Sequence, residues 1–155
     1  MTPTTTNPRR ILAVDYGRRK IGLALSDELC LTAHPLATML RVNRRTDLRR
    51  LSEICRRYSV VRIIVGHPLR LRGEAGEMAA ETARFAAKLK KEIGIETELV
   101  DERLTSWEAE RIVAETRPSR RRERKPLDHF AAAILLRDYL DHKGRRSSAA
   151  QSEKD

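Results

Sequence analysis

A run of four apolar residues at positions 11–14 leads directly into the acid Asp15 and then the turn residue Gly17. Such a run predicts a strand that is buried on both faces. Positions 21–26 alternate apolar with small residues, which is the period of a second strand. The two strands predict a hairpin with Asp15 at its rim, where an ionised carboxylate is costly unless a cation pairs with it. The simpler alternative is that Asp15 only caps its own turn.

The chain has 155 residues, which is enough for one domain with a sizeable core, and a net charge of +10. Residues 1–9 and 143–155 have the composition of disordered tails, which leaves a single domain at 10–142. The tails carry +1 and +2, so +7 belongs to the domain itself. This excess of positive charge indicates a polyanionic partner such as nucleic acid.

Cys30 and Cys55 show neither a disulfide framework nor the paired spacing of a metal site, so they are predicted to be reduced core thiols. No apolar run approaches the length of a transmembrane helix, and residues 1–10 lack the hydrophobic segment of a signal peptide. We therefore expect a cytoplasmic protein without a membrane partner. Its oligomeric state, monomer or homodimer, stays open.

The remaining chain reads as alternating strands and helices. Strands are predicted at 31–40 (bent at Pro35), 60–65 and 96–100; helices are predicted from Thr46 or Asp47, over 77–93, from Thr105 and from Pro126. A meander followed by strand–helix units predicts an α/β protein. Its five-stranded mixed sheet would combine a three-stranded antiparallel meander with two parallel strands, and helices would cover both faces.

Acids recur where this fold would gather functional groups. Asp15 and Glu102 each follow a predicted strand, and Asp128 falls on the inward face of the first turn of the last helix. A helix N-terminus favours an acid regardless of function. His67 is a candidate acid–base group, but a lone His in a loop at a strand end is more often structural. Three clustered carboxylates would repel one another unless Mg²⁺ or Mn²⁺ binds them. Two such ions would support phosphodiester hydrolysis.

Basic residues near these acids are predicted to contact phosphates. They are Arg18 and Arg19 in the hairpin turn, Arg70 and Arg72 in the predicted loop 69–76, and Arg120, Arg121, Arg122, Arg124 and Lys125 before the last helix. The last group is expected to act as a flexible clamp, although a solvated loop is the simpler interpretation. The helix near residues 46–58 also carries an arginine-rich outer face, for which solvation is again simpler than nucleic-acid contact.

Four segments resemble, in order, the motifs of the YqgF family of RNase H-like nucleases, also called RuvX or Holliday junction resolvases. They are ILAVDYGRRKIGLALSD (11–27), VGHPLRLRG (65–73), DERLTSWEA (101–109) and DHFAAAILLRDYL (128–140). The resemblance spans about residues 10–141 and implies an RNase H-like fold with Asp15, Glu102 and Asp128 as catalytic metal ligands. In RuvC-like resolvases the second acid lies on the strand matching 62–65, which has none here. That role would pass to Glu102, with Asp101 as the alternative.

The resemblance further implies a bacterial cytoplasmic nuclease that matures the 5′ end of the small-subunit ribosomal RNA precursor, pre-16S rRNA. The resolvase name implies branched DNA instead, and metal-assisted hydrolysis is the same on both backbones. Two other classes stay open. An actin-like or sugar-kinase ATPase needs a second lobe, for which the chain has no room. A non-catalytic RNA-binding assembly factor would keep the basic loop without needing three acids.

Overall fold

The strands and helices follow the predicted order. The computed structural model describes residues 9–69, 76–102 and 127–152, with the side chains of 127–129 and 144–152 excepted. The elements are β1 Arg10–Tyr16, β2 Lys20–Ser26, β3 Ala33–Leu40, α1 Arg44–Arg57, β4 Val60–His67, α2 Glu77–Ile93, β5 Glu96–Asp101 and α3 Leu127–Ser152. The helix predicted from Thr105 and the basic segment at 117–125 lie outside the described residues, as do Arg70 and Arg72.

The five strands form one mixed sheet in the order β3-β2-β1-β4-β5. β1 pairs antiparallel with β2, and β2 pairs antiparallel with β3, which makes the predicted meander. β4 runs parallel to both β1 and β5. The fold prediction of three antiparallel strands plus two parallel ones is therefore confirmed.

β1 lies at the centre of the sheet and supplies core residues to both faces. Leu12, Val14 and Tyr16 belong to the cluster that α1 and α2 cover. Ile11 and Ala13 belong to the opposite cluster, which α3 covers through residues such as Leu135. Successive side chains of a strand point to opposite faces, so an unbroken apolar run is what a two-sided core requires.

Helix α1 begins earlier than the sequence indicates. Its N-cap is Asn43, whose side-chain oxygen accepts a hydrogen bond from the Thr46 backbone N–H at 2.8 Å. The expected caps, Thr46 and Asp47, lie within the helix, so that prediction is wrong. Asn is as good an N-cap as Asp or Ser. Asp47 is instead fully buried and paired with Arg41, a contact that local sequence does not reveal.

The bend predicted at Pro35 takes the form of an irregular register in β3. Leu23 pairs with Ala37, whereas the next residue, Ala24, pairs with Pro35, which leaves Leu36 as an extra residue. Proline has no N–H for a sheet ladder and is tolerated at edges and bulges. β3 is an edge strand, so both conditions hold.

The C-terminal end of α3 is the second place where a helix differs from the prediction. α2 spans the predicted residues and ends at Gly94, whose φ of 76° is the left-handed cap conformation. α3 continues through Ser152, past residue 143, where the sequence predicts a disordered tail. Adding a residue to an existing helix costs little, so a polar segment can extend it. The domain boundaries themselves stay a prediction.

Both cysteines are free, with Cys55 buried and Cys30 half-buried. Cys55 lies on the core-facing side of α1, as predicted, and burial raises the pKa of its thiol to about 11. Within the described ranges, no helix is both long and apolar enough to cross a membrane.

Candidate active site

Asp15 stands on the α3 side of the sheet between two glycines. Its side follows from the alternation of β1, because Ile11 and Ala13 face α3. On one flank Asp15 pairs with Gly22 of β2. On the other, Val14 pairs with Val65 of β4, so the same register places Asp15 beside Gly66. Neither neighbouring strand therefore places a side chain beside the carboxylate at its own level.

The carboxylate of Glu102 occupies the space above Gly66. A Cβ atom built on Gly66 would lie 2.6 Å from Glu102 Oε1 and 3.2 Å from Leu135 Cδ2 of α3. Gly66 pairs with Val100, two residues before Glu102, and Val100 packs against the α3-side cluster. Glu102 and Asp15 thus share one face and one edge of the sheet.

Asp101, the alternative second acid, belongs to the other face. It is the last residue of β5 and pairs with His67, and strand alternation sets both residues opposite to Val100. Because of the same alternation, His67 and Asp15 lie on opposite faces of the sheet. Strand parity therefore separates Glu102 from Asp101, which the sequence leaves open as the alternative second acid.

The backbone of Asp128 approaches the same edge from α3. Tyr139 donates a hydrogen bond from its hydroxyl to Glu98 at 2.9 Å, while Leu135, one turn earlier, lies above Gly66. Moving toward the N-terminus of α3 therefore means moving toward the carboxyl ends of β4 and β5. Asp128 is seven residues before Leu135, two turns further in that direction and at the same helical phase. Its side chain lies outside the description.

No three His, Cys, Asp or Glu side chains within the described set lie close enough together to hold a metal ion. The side chain of Asp128 is not among the described side chains. The donors that are described, two carboxylates on one face, are the hard oxygen ligands that Mg²⁺ and Mn²⁺ take. Gly66 leaves the space that one of them occupies. The residues present therefore fit a bound Mg²⁺ or Mn²⁺ ion.

The turn after Asp15 is held from the opposite face by Arg41. Its Nη1 donates to the Tyr16 hydroxyl at 2.8 Å and to the Gly17 carbonyl at 3.4 Å. The guanidinium also lies 4.8 Å from the centre of the Tyr16 ring. Gly17 is required in this turn because a Cβ there would lie 2.6 Å from the Lys20 carbonyl oxygen. Arg41 therefore anchors the two residues that follow Asp15 in the chain.

Asp47 in turn holds Arg41. Its side chain has 0 % exposure, accepts from Arg41 Nε at 3.3 Å and accepts from the Val42 backbone N–H at 3.1 Å. A buried carboxylate is stable only when it is paired and hydrogen-bonded, and both conditions are met here. Sequence reasoning missed this pair, and an Arg and an Asp six residues apart across a strand–helix boundary offer no distinctive pattern.

The basic residues of the hairpin turn border the site. Arg19 and Lys20 line a surface pocket with Asp15, Tyr16 and Gly17, and Lys20 is a further residue that sequence reasoning missed. The feature of the sequence that could have indicated Lys20 is its position directly before the alternating strand at 21–26.

Arg18 has a side chain 61 % exposed and donates to Glu81 of α2 at 3.1 Å. That hydrogen bond lowers the pKa of Glu81 below its ordinary value. Arg18 therefore has a carboxylate partner within the chain, on α2.

The family model for RuvX, described as Holliday junction resolvase, matches residues 9–142. The chain belongs to the RuvX family. Among its relatives is the "Putative pre-16S rRNA nuclease" of Symbiobacterium thermophilum, 44% identical over 137 residues, which are 88% of this chain and 95% of the relative. The protein of the same name from Koribacter versatilis is 41% identical over 135 residues, 87% of this chain and 88% of the relative. The resemblance seen in the four motifs is thus confirmed.

A solved structure shows the same fold as this RuvX-family chain. RuvC of T. thermophilus in complex with a Holliday junction substrate superimposes with a TM-score of 0.54 at 16% identity, covering 87% of this chain and 95% of that one. At this identity the likeness establishes the RNase H-like architecture and nothing finer. The predicted fold is confirmed by it together with the strand order.

Proposed function

We propose that this chain is a metal-dependent nuclease that processes the 5′ end of pre-16S ribosomal RNA. Family membership makes it a relative of enzymes that act on nucleic acids. The observation that carries the proposal is the Glu102 carboxylate above Gly66, on the face and edge where Asp15 stands between two glycines. The RNA substrate is favoured by the name that the relatives at 41% and 44% identity share.

Asp15, Glu102 and Asp128 would hold Mg²⁺ or Mn²⁺, and two such ions fit the number of carboxylates. When bound, the metal supplies Lewis-acid stabilisation of the phosphate and lowers the pKa of the attacking water. The chain itself orients the carboxylates through Gly66 and the locked turn at Gly17. Arg19 and Lys20, which line the pocket beside Asp15, would hold the flanking phosphates of the substrate.

Incubation of the purified protein with Mn²⁺ and a labelled ribosomal leader RNA tests the proposal. We expect cleavage at the leader's 5′ processing position by wild type and none by Asp15→Asn, because the amide is a poor metal ligand. The variant should fold normally, since it loses a charge that its neighbours repel. Turnover by the variant, or a collapse of its melting temperature, would refute the role of Asp15.

Resolution of Holliday junctions is the second candidate, favoured by the description of the family model and by the fold shared with RuvC. A labelled four-way DNA junction, incubated in parallel with the RNA, separates the two. Cleavage of the junction alone would assign the site to DNA. Full activity of Asp15→Asn in ribosome maturation, without cleavage of either substrate, would favour a non-catalytic RNA-binding factor.

A further inference from the structure

An exposed row of arginines runs along α1. Arg45, Arg49 and Arg56 are separated by four and seven residues, which keeps them within an arc of about 40° over about 16 Å of helix. All three side chains are exposed, and none takes part in an ion pair among the described residues. Exposed positive charges without an ion-pair partner, aligned along one face of a helix, are available to bind an external anion.

The row points away from the sheet and toward the α2 side. Arg50 reaches back to the Leu40 carbonyl at the end of β3 with a hydrogen bond of 3.0 Å, which identifies the flank of α1 that faces β3. Leu51 and Cys55 identify the flank that faces the core. At 100° per residue the arginine row lies about 120° from each of these flanks.

Helix α2 extends this basic surface. Arg84, Lys88 and Lys91 recur at four and three residues, on the side of α2 opposite to its buried Thr82 and Ala86. Both helices pack on the same sheet face and run antiparallel to β1 and β4. We call these six bases the α1–α2 basic surface. The exposed acids on the two helices are Glu53, Glu77 and Glu92, so the six bases dominate.

This surface lies behind the candidate active site. Asp15 faces α3, whereas α1 and α2 cover the other side of the sheet. α1 begins beside the end of β3, at the edge where β1 ends, so Arg45 is near the active edge and Arg56 about three turns away from it. A strand that follows the row would reach the edge that carries Asp15.

We propose that the α1–α2 basic surface binds the phosphate backbone of RNA outside the cleavage position. The inference rests on the proposed function for the identity of the polyanion. Arginine binds phosphate through a planar fork with several donors, and the α1 row consists of arginine alone. The rise of about 6 Å between Arg45 and Arg49 suits successive phosphates of one strand. The substrate would therefore be an RNA that continues well beyond the scissile bond and wraps around one edge of the sheet.

The test compares Arg45→Gln/Arg49→Gln/Arg56→Gln with a control that removes the same charge elsewhere, Arg9→Gln/Arg137→Gln/Lys143→Gln. Binding of a long leader RNA and of a short RNA limited to the cleavage position is measured by fluorescence anisotropy with EDTA, so that no cleavage occurs. We expect the row variant to bind the long RNA roughly tenfold or more weakly, with a salt slope reduced by about 2 for three lost contacts. Its affinity for the short RNA should match that of the control.

Each alternative result is decisive. An unchanged salt slope, or an equal loss of affinity in the control, would overturn the proposal in favour of a solvated face or of net charge alone. An equal loss on the short RNA would show that the row belongs to the cleavage groove itself. If the triple variant melts below the control, Arg45→Gln/Arg49→Gln replaces it, with an expected slope change of about 1.4. Failure of the wild type to cleave RNA would refute the proposed function and leave these binding comparisons valid.

Discussion

At the scale of single residues, the candidate site depends as much on two glycines, which have no side chain, as on its acids. Gly22 and Gly66 flank Asp15, and the space above Gly66 holds the carboxylate of Glu102. A glycine in a strand weakens the strand unless something must approach its backbone closely. At Gly66 the close approach is visible, since a Cβ there would lie 2.6 Å from a carboxylate oxygen.

Gly66→Ala should therefore damage catalysis more than stability. The methyl group displaces the end of a flexible side chain, so the free energy of unfolding should change by about 1 kcal/mol or less. Displacing a reacting group by about 1 Å can cost roughly 100-fold in rate, and we expect a loss of that order in kcat.

Gly94→Ala is the matched control for that substitution. Its φ of 76° is strained for alanine, but nothing lies within 4 Å of the new methyl. It should lose about 1 kcal/mol of stability while keeping its activity. A Gly66→Ala enzyme as active as Gly94→Ala would contradict the importance of the space above Gly66.

The assignment of the second acid is tested by removing one charge from each of two neighbours. Glu102→Gln should abolish cleavage because Glu102 shares the face of Asp15, whereas Asp101→Asn, on the other face, should retain most of it. Single-turnover rates with saturating RNA measure both variants. Inactivity of Asp101→Asn with an active Glu102→Gln would reverse the assignment.

At the scale of elements, the β1–β2 turn is held by an ion pair between the residue that follows β3 and a residue in the first turn of α1. Asp47 at the start of α1 fixes Arg41, and Arg41 binds the Tyr16 hydroxyl and the Gly17 carbonyl. Burial raises the pKa of Tyr16, and the nearby Arg41 partly offsets that rise. The site therefore rests on contacts made on the far side of the sheet.

Asp47→Ala should destabilise the protein by roughly 3 kcal/mol, because it leaves Arg41 half-buried without its carboxylate and the Val42 N–H without an acceptor. The exposed Glu53→Ala on the same helix is the control and should change the free energy of unfolding by about 0.5 kcal/mol or less. Urea titrations of both variants measure the difference. Equal midpoints would show that the buried pair contributes nothing to stability.

The β2–β3 loop is organised by Asp27, which accepts from the backbone N–H groups of Leu31 and Thr32 at 2.7 Å and of Leu29 at 3.3 Å. The hydrogen bond from Thr32 is the main reason that the pKa of Asp27 lies below its ordinary value of 3.8. A carboxylate whose pKa falls on folding stabilises the folded state above its unfolded pKa. That contribution is lost as the pH falls through the folded pKa.

Asp27→Asn should therefore be less stable than wild type at neutral pH, and the difference should shrink below about pH 4. Urea unfolding of both proteins at about pH 7 and about pH 3 provides the comparison. A difference in stability that is the same at both pH values would contradict the role of the ionised carboxylate.

At the scale of the whole molecule, the three candidate acids belong to segments that are distant in the sequence. β1, β5 and α3 reach one sheet edge because β4 pairs in parallel with both β1 and β5 and α3 packs across β2 and β1. A ligand that binds carboxylates from all three segments binds only the folded chain. Such a ligand must therefore raise the stability of the whole domain.

Millimolar Mn²⁺ or Mg²⁺ should raise the melting temperature of wild type by a few degrees. The double variant Asp15→Asn/Asp128→Asn should show no such rise, although its metal-free form should melt at the same temperature as wild type or higher. Differential scanning fluorimetry with and without metal measures both. An equal rise in the double variant would place the bound metal elsewhere.

The sequence by itself determined the features that depend on local patterns. The apolar run at 11–14 predicts a central strand that is buried on both faces. Successive side chains of a strand point to opposite faces, so an uncovered face would expose every second apolar side chain to water. The spacing of apolar residues over 77–93, followed by Gly94, defines α2 because helical period and cap chemistry are both local.

Only the tertiary structure decided which groups meet. Asp101 and Glu102 are adjacent in sequence, and the parity of β5 becomes known only when Val100 is seen to pack toward α3. The sequence predicts Asp47 as a possible helix cap, and only the approach of Arg41 from the end of β3 shows that it is a buried ion-pair partner within the first turn of α1. Periodicity is a property of neighbouring residues, whereas pairing depends on distances that the packed sheet and helices set.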